Sequence, residues 1–162
     1  LEVIEAKWLF DVEPDRIQVL IHPQSIVHSG VEFMDNSILC QMGIPDMRIP
    51  ISLALGYPDR LESPDEELDM FGAGSNLTFM KPDRETFRLL DLAYFAICEG
   101  GSCPVVMNAA NEVLVEKFLR DQIGFLEFQD KVCETVMKHK TLTGLSLEDI
   151  IRIDRETRES LK

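Results

Sequence analysis

Apolar and polar positions follow more than one rhythm along this 162-residue chain. Over residues 1–10 (LEVIEAKWLF), Leu1, Ile4, Trp8 and Leu9 share one side of a helical cylinder, while Glu2, Glu5 and Lys7 fall elsewhere around it. That spacing predicts a helix with Trp8 packed into a core. It begins without an initiating methionine or an N-cap residue, as expected of a chain cut inside a larger protein. Residues 11–16 form a turn punctuated by Pro14. Ile17, Val19, Leu20 and Ile21 then make a nearly continuous apolar run, which predicts a strand covered on both faces. His22-Pro23 ends it, because proline has no N–H to give a ladder. Val31 and Phe33 alternate with Glu32, Asp35-Asn36 supplies turn chemistry, and Ile38, Cys40 and Met42 resume the alternation. A hairpin follows from that pattern. Pro50 suits the first turn of a helix over 51–55, and Gly56-Tyr57-Pro58 stops it.

Residues 60–74 are polar and acidic, with Pro64, Asp65, Glu66, Glu67, Gly72 and Gly74; 77–80 (LTFM) could add one isolated strand. From Asp83 onward the period is helical: Phe87, Leu90, Ala93, Tyr94 and Ile97 recur at spacings of three and four. Further helices are expected over 104–120, over 125–139, and after Ser146, where Ser146 and Asp149 resemble a capping box and Ile150 and Ile153 face inward. The class is therefore α+β: a partial α/β domain with a small sheet (1–58), a linker with a short strand (59–82) and a C-terminal four-helix bundle (83–162).

Composition narrows the function classes. Hydrophobic residues make up 45% of the chain, so a core is available. Acidic residues number 29 against 16 basic, for a net charge of −13, a poor surface for phosphate backbones; nucleic acid is not an expected partner. No apolar run reaches the ~20 residues of a membrane span and no signal peptide is seen, so no membrane partner is expected. Cys40, Cys98, Cys103 and Cys133 lie far apart without a C-x-x-C pair, and read as reduced core thiols of a cytoplasmic protein.

Chemistry-bearing residues cluster at 17–47. His22, Ser25 and His28 sit where a strand runs into a loop, a usual place for ligands in open α/β sheets; a structural hairpin with surface histidines fits the same residues. Glu2 and Glu5 can point the same way from one helix, as a pair for a hard cation or a proton, though solvated helix-face acids are commoner. Neither histidine has zinc-pair spacing. Asn108-Ala-Ala-Asn111-Glu112 is polar inside a helix, and its amides are expected to tie that helix to neighbouring backbone.

LEVIEAKWLF, VLIHPQSIVHSGVEFMDNSILCQMGIPDMRIPI, LTF and NAANE, in that order, closely resemble the 1-deoxy-D-xylulose 5-phosphate reductoisomerases. The resemblance spans the chain and is strongest over 1–51. It implies the C-terminal part of an enzyme of the non-mevalonate isoprenoid pathway, which rearranges 1-deoxy-D-xylulose 5-phosphate and reduces the aldehyde intermediate with NADPH to 2-C-methyl-D-erythritol 4-phosphate. It also implies a Mg²⁺ or Mn²⁺ ion that polarises the substrate carbonyl, and a homodimer. Residues 1–58 would be the latter part of the catalytic domain.

Residue by residue, Glu2 matches the last position of the family's Asn-Lys-Gly-Leu-Glu motif, a metal- and substrate-binding carboxylate. His28 matches a catalytic-pocket histidine, and Ser25 shares its turn as a substrate contact. Pro45 and Met47 match residues lining the nicotinamide site, with Met47 as an apolar wall. The family's Gly-rich NADPH segment, its other acidic metal ligands, the preceding Asn and Lys, and its mobile loop have no counterpart here. Because Mg²⁺ dehydrates reluctantly for a single ligand, neither cofactor is expected to bind this segment well, and it is expected to be inactive alone. The rival reading is a non-catalytic, acidic, helical protein-interaction module, which has no need for HPQSIVHS beside GIPDMR.

Overall fold

The computed structural model describes residues 1–62 and 67–162. Pro64, Asp65 and Glu66, the centre of the expected acidic linker, lie outside the described residues. Helix α1 is Glu2–Phe10, followed by a 3₁₀ turn at Pro14–Arg16; strands β1 (Val27–Glu32) and β2 (Ile38–Met42) precede α2 (Arg48–Gly56). After a 3₁₀ turn at Ala73–Ser75 come α3 (Leu89–Glu99), α4 (Cys103–Leu119), α5 (Phe125–Lys138) and α6 (Leu147–Ser160). The mixture is α+β. Its described residues form two compact units, one of Leu1–Gln18 with Pro82–Lys162, the other Val19–Lys81.

In the helical unit α4 packs against α3, α5 and α6, and α1 packs on α3. The core is Leu92, Ala93 and Ala96 of α3, Cys103, Val106, Met107, Ala110 and Leu114 of α4, Phe128, Val132 and Val136 of α5, and Ile153 of α6. Ala109 and Ala110, both fully buried, keep α4 slim enough for its neighbours to approach closely. Gln129 is buried with them, and its Oε1 accepts the Arg88 amide at the start of α3. Ser146 and Asp149 complete the expected capping box of α6. Helix α3 begins later than its periodicity suggests, because Asp83 Oδ1 accepts the amides of Glu85 and Thr86 and closes a separate turn first.

Other expectations are corrected. Residues 17–20 form no strand: Ile21 alone bridges to Met80, and Leu20 and Ile21 are exposed rather than covered on both faces. The 77–80 strand shrinks to that same bridge. In α1 the buried residue is Val3, whereas Trp8 is 72% exposed and Leu9 and Phe10 are similar. Ile150 is exposed although Ile153 is buried. Of the free cysteines, Cys40 and Cys98 are at the surface, whereas Cys103 is buried in the core and Cys133 is half-buried against it. Asn108 reaches the Glu112 carboxylate one turn on, not neighbouring backbone, and Glu112 pairs with Arg158 of α6 at 2.8 Å. Among the described residues no helix is long and apolar enough to cross a membrane.

Candidate functional site

The hairpin is built from its turn outward. Asp35 Oδ1 accepts both the amide and the hydroxyl of Ser37, and Asn36 takes a left-handed backbone (φ 64°), a conformation asparagine tolerates. Phe33 and Ser37 close the loop, and Val31 then lies opposite Leu39 and Gly30 opposite Cys40. Near the open end the register slips: Val27 pairs with Met42 and Ser29 with Gln41. His28 is the extra residue of that bulge, a device that re-aims one side chain out of the alternation. Its Nε2 lies 3.2 Å from the Gly43 carbonyl, which can only accept. In a neutral ring the N–H is then on Nε2, leaving Nδ1 to accept a proton or a hydroxyl from a ligand.

Ser25 lies on the turn before β1. Its amide donates to the His22 carbonyl at 3.0 Å, and it too is left-handed (φ 50°), which is unusual for serine. Ile26 is buried between these residues, and its carbonyl accepts the Gly43 amide. So Ile26 and His28 are tied to the chain leaving β2, with Ser25 one residue ahead of Ile26. That chain turns at Asp46, whose carboxylate caps the Arg48 amide and takes the Arg48 guanidinium in a fork at 2.8–3.1 Å. The Arg48 side chain first, then its amide, draw the Asp46 carboxyl down to about 2. The corner leaves Pro45 exposed and Met47 70% exposed at the entry to α2.

The structure thus gathers His28, Ser25 and the segment bearing Pro45 and Met47 around Gly43 within one unit. Glu2 belongs to the helical unit; its carboxylate is 94% exposed and meets the Leu1 amino group at 3.3 Å. Its backbone amide, and then that amino group, hold it below the ordinary glutamate value. Among the described residues no group of three or more His, Cys, Asp or Glu side chains is placed to hold a metal ion. A lone exposed carboxylate does not by itself make a site for Mg²⁺ or Mn²⁺. A hollow of about 560 Å³ flanked by α4–α6 is lined by His139, Leu142, Arg152 and Glu156 among others, and by no residue of the histidine turn.

Sequence reasoning passed over the Asp46–Arg48 fork and the bulge at His28. An Asp two positions before the first helical residues is a legible capping signal. A bulge depends on the partner strand's register and leaves no local mark.

A family model described as the DXP reductoisomerase C-terminal domain matches residues 42–160. The 1-deoxy-D-xylulose 5-phosphate reductoisomerase of Chloroherpeton thalassium is 52% identical over 158 residues, covering 98% of this chain and 41% of that protein. The enzyme of that name from Caldanaerobacter subterraneus is 49% identical over 160 residues, with 99% and 42% covered. The structure of the Zymomonas mobilis reductoisomerase in complex with NADPH superposes with a TM-score of 0.90 at 45% identity, covering 99% of this chain and 42% of that one. A DOX-P reductoisomerase structure in complex with magnesium gives 0.88 at 38% identity, again over 99% and 42%. The chain thus spans about two-fifths of the length of these relatives.

Proposed function

This chain belongs to the 1-deoxy-D-xylulose 5-phosphate reductoisomerase family, and from that premise we propose that it is the carboxy-terminal part of such an enzyme. The intact protein would convert 1-deoxy-D-xylulose 5-phosphate to 2-C-methyl-D-erythritol 4-phosphate with NADPH, in the cytoplasm. Exposed free thiols at Cys40 and Cys98 suit a reducing compartment. Residues 1–58 take the catalytic role, 59–82 connect, and 83–162 form the helical domain, as a four-helix bundle. His28 is the pocket histidine, with Nδ1 facing substrate; Ser25 binds substrate beside it. Pro45 and Met47 offer an apolar wall to the nicotinamide. Glu2 contributes one carboxylate to a divalent cation whose other ligands come from elsewhere in the intact enzyme.

The observation that carries this reading is the arrangement around Gly43: HPQSIVHS and GIPDMR, far apart in any local sense, are joined through hydrogen bonds from Gly43 to Ile26 and from His28 to Gly43. A chain needing only a hairpin has no use for a histidine re-aimed by a bulge beside an exposed methionine at the corner.

The test is NADPH oxidation with substrate and Mn²⁺. The chain alone is expected to show no turnover. Joined to the amino-terminal portion of the Chloroherpeton thalassium relative, it is expected to turn over, and His28→Gln should cost roughly 10²–10⁴-fold in kcat. Turnover by the chain alone, or a folded fusion that is inactive, overturns the reading.

A further inference from the structure

Thr78 directs all its polar groups at the turn that carries Ser25. Its carbonyl lies 2.7 Å from His22 Nδ1, which must donate because a carbonyl only accepts. Its hydroxyl accepts from Gln24 Nε2 at 2.8 Å and lies 3.0 Å from Gln24 Oε1, and its amide donates to that same Oε1 at 3.3 Å. The flanks are fastened too. Ile21 and Met80 exchange both backbone hydrogen bonds at 2.9 Å, and the His22 ring stacks on Phe79 with centroids 4.6 Å apart. His22 Nε2 is buried without a partner among the described residues, so its ring is held by Thr78 on one edge and Phe79 on one face. The next residue but two is Ser25, in a left-handed conformation that a non-glycine residue keeps only where its surroundings over-determine it. A bridge between Ile21 and Met80 would be enough to join two chain segments. It would not fix Gln24, which directly precedes Ser25 inside the turn closed by the Ser25 amide and the His22 carbonyl.

We propose that Thr78 is a positioning residue of the active site: through Gln24 and His22 it fixes the backbone of Ser25, and so the direction from which Ser25 meets the sugar phosphate. This rests on Ser25 and His28 being substrate-site residues, as put forward above. Thr78→Val keeps the backbone donor and acceptor, the branched shape and the Ile21–Met80 bridge, and removes only the hydroxyl.

The fusion enzyme described above is compared as parent, Thr78→Val and Thr78→Ser, with Ser25→Ala and His28→Gln alongside. The expected result for Thr78→Val is a fall in kcat/KM for 1-deoxy-D-xylulose 5-phosphate of roughly tenfold to a hundredfold, with the KM for NADPH unchanged. Thr78→Ser should restore the parent value to within about threefold, and the Ser25 amide should exchange about tenfold faster in the valine variant only. Kinetics within about twofold of the parent, equal rises in both KM values, or a serine variant as impaired as the valine one overturns the proposal. If Ser25→Ala and His28→Gln leave the kinetics untouched while Thr78→Val quickens exchange, the active-site reading has failed rather than the clamp, and the positioning role falls with it.

Discussion

Ser102 is fully buried, and both its backbone and its side chain hold the segment after α5. Its amide donates to the Leu142 carbonyl at 3.0 Å, its Oγ accepts the Leu142 amide at 2.9 Å, and Oγ lies 2.6 Å from His139 Nε2. With Oγ already accepting one N–H, its own proton is available for the imidazole, which favours the neutral ring. Burial acts the same way and pushes the His139 imidazole below its ordinary value. The unfolded chain therefore takes up this proton more readily than the folded one. The stability His139 contributes is full above about pH 6.5 and is lost as the pH falls. Glu134, Lys138, Lys140, Arg152 and Glu156 are the charged neighbours in sequence and around the hollow; they stay in place in a His139→Gln variant, so their titration cancels in the comparison. The urea midpoint should drop less between about pH 7.5 and 5.5 in His139→Gln than in the parent. Equal drops would refute the neutral-histidine assignment. Ser102→Ala leaves the Leu142 amide without its acceptor and should cost about 1–3 kcal/mol in urea unfolding. Trp8 shows the opposite case. At 72% exposure its removal should change stability by no more than ~0.5 kcal/mol, although its sequence position reads as core.

At the scale of elements, the helical unit is closed by one crossing. The α3–α4 turn passes beneath the segment joining α5 to α6, and Gly101 lies where they meet. Its φ is +51°, and a Cβ there would stand 2.2 Å from the Leu142 carbonyl oxygen, a backbone atom that cannot swing aside. Gly101→Ala should therefore cost at least ~2 kcal/mol, from the left-handed backbone and the clash together, read as a lowered denaturation midpoint. At the other end of that segment, Ser146→Ala removes the α6 cap and should cost ~1 kcal/mol. The helices after residue 83 were legible because each buries a stripe whose i, i+3, i+4 spacing survives in a single sequence. Leu114, Val132 and Ile153 are buried on such stripes. The run at 17–21 misled because β-branched apolar residues look the same whether a neighbouring strand covers them or not; among the described residues only Ile21 of this run forms a β-bridge, to Met80, 59 residues on. The motifs at 22–28 and 43–48 located the candidate site. The means of holding it did not show, since Gln24 and Thr78 are separated by 54 residues and no local pattern links an amide to a distant hydroxyl.

At the scale of the whole molecule, the least self-sufficient part is the hairpin. It is a two-stranded sheet, which on its own is marginal in water, and β1 and β2 each have an edge unpaired among the described residues. Val31 and Leu39 stand directly opposite each other, 57% and 68% exposed, with Phe33 next along the same face at 51%. Three apolar side chains in a row on an open face invite a partner more than solvent does. In the homodimer that the family resemblance implies, this sheet would continue through an unpaired edge into a second copy of the chain and carry the apolar face on into the partner. Leu39→Lys tests it without disturbing the fold: at such exposure the charge should change unfolding free energy by no more than ~0.5 kcal/mol, while two lysines brought together across a two-fold axis repel. Light scattering at tens of micromolar is expected to give a dimer for the parent and a monomer for the variant. A parent that stays monomeric over that range would remove the hairpin from any dimer interface and leave its apolar face to be covered by other parts of the intact enzyme.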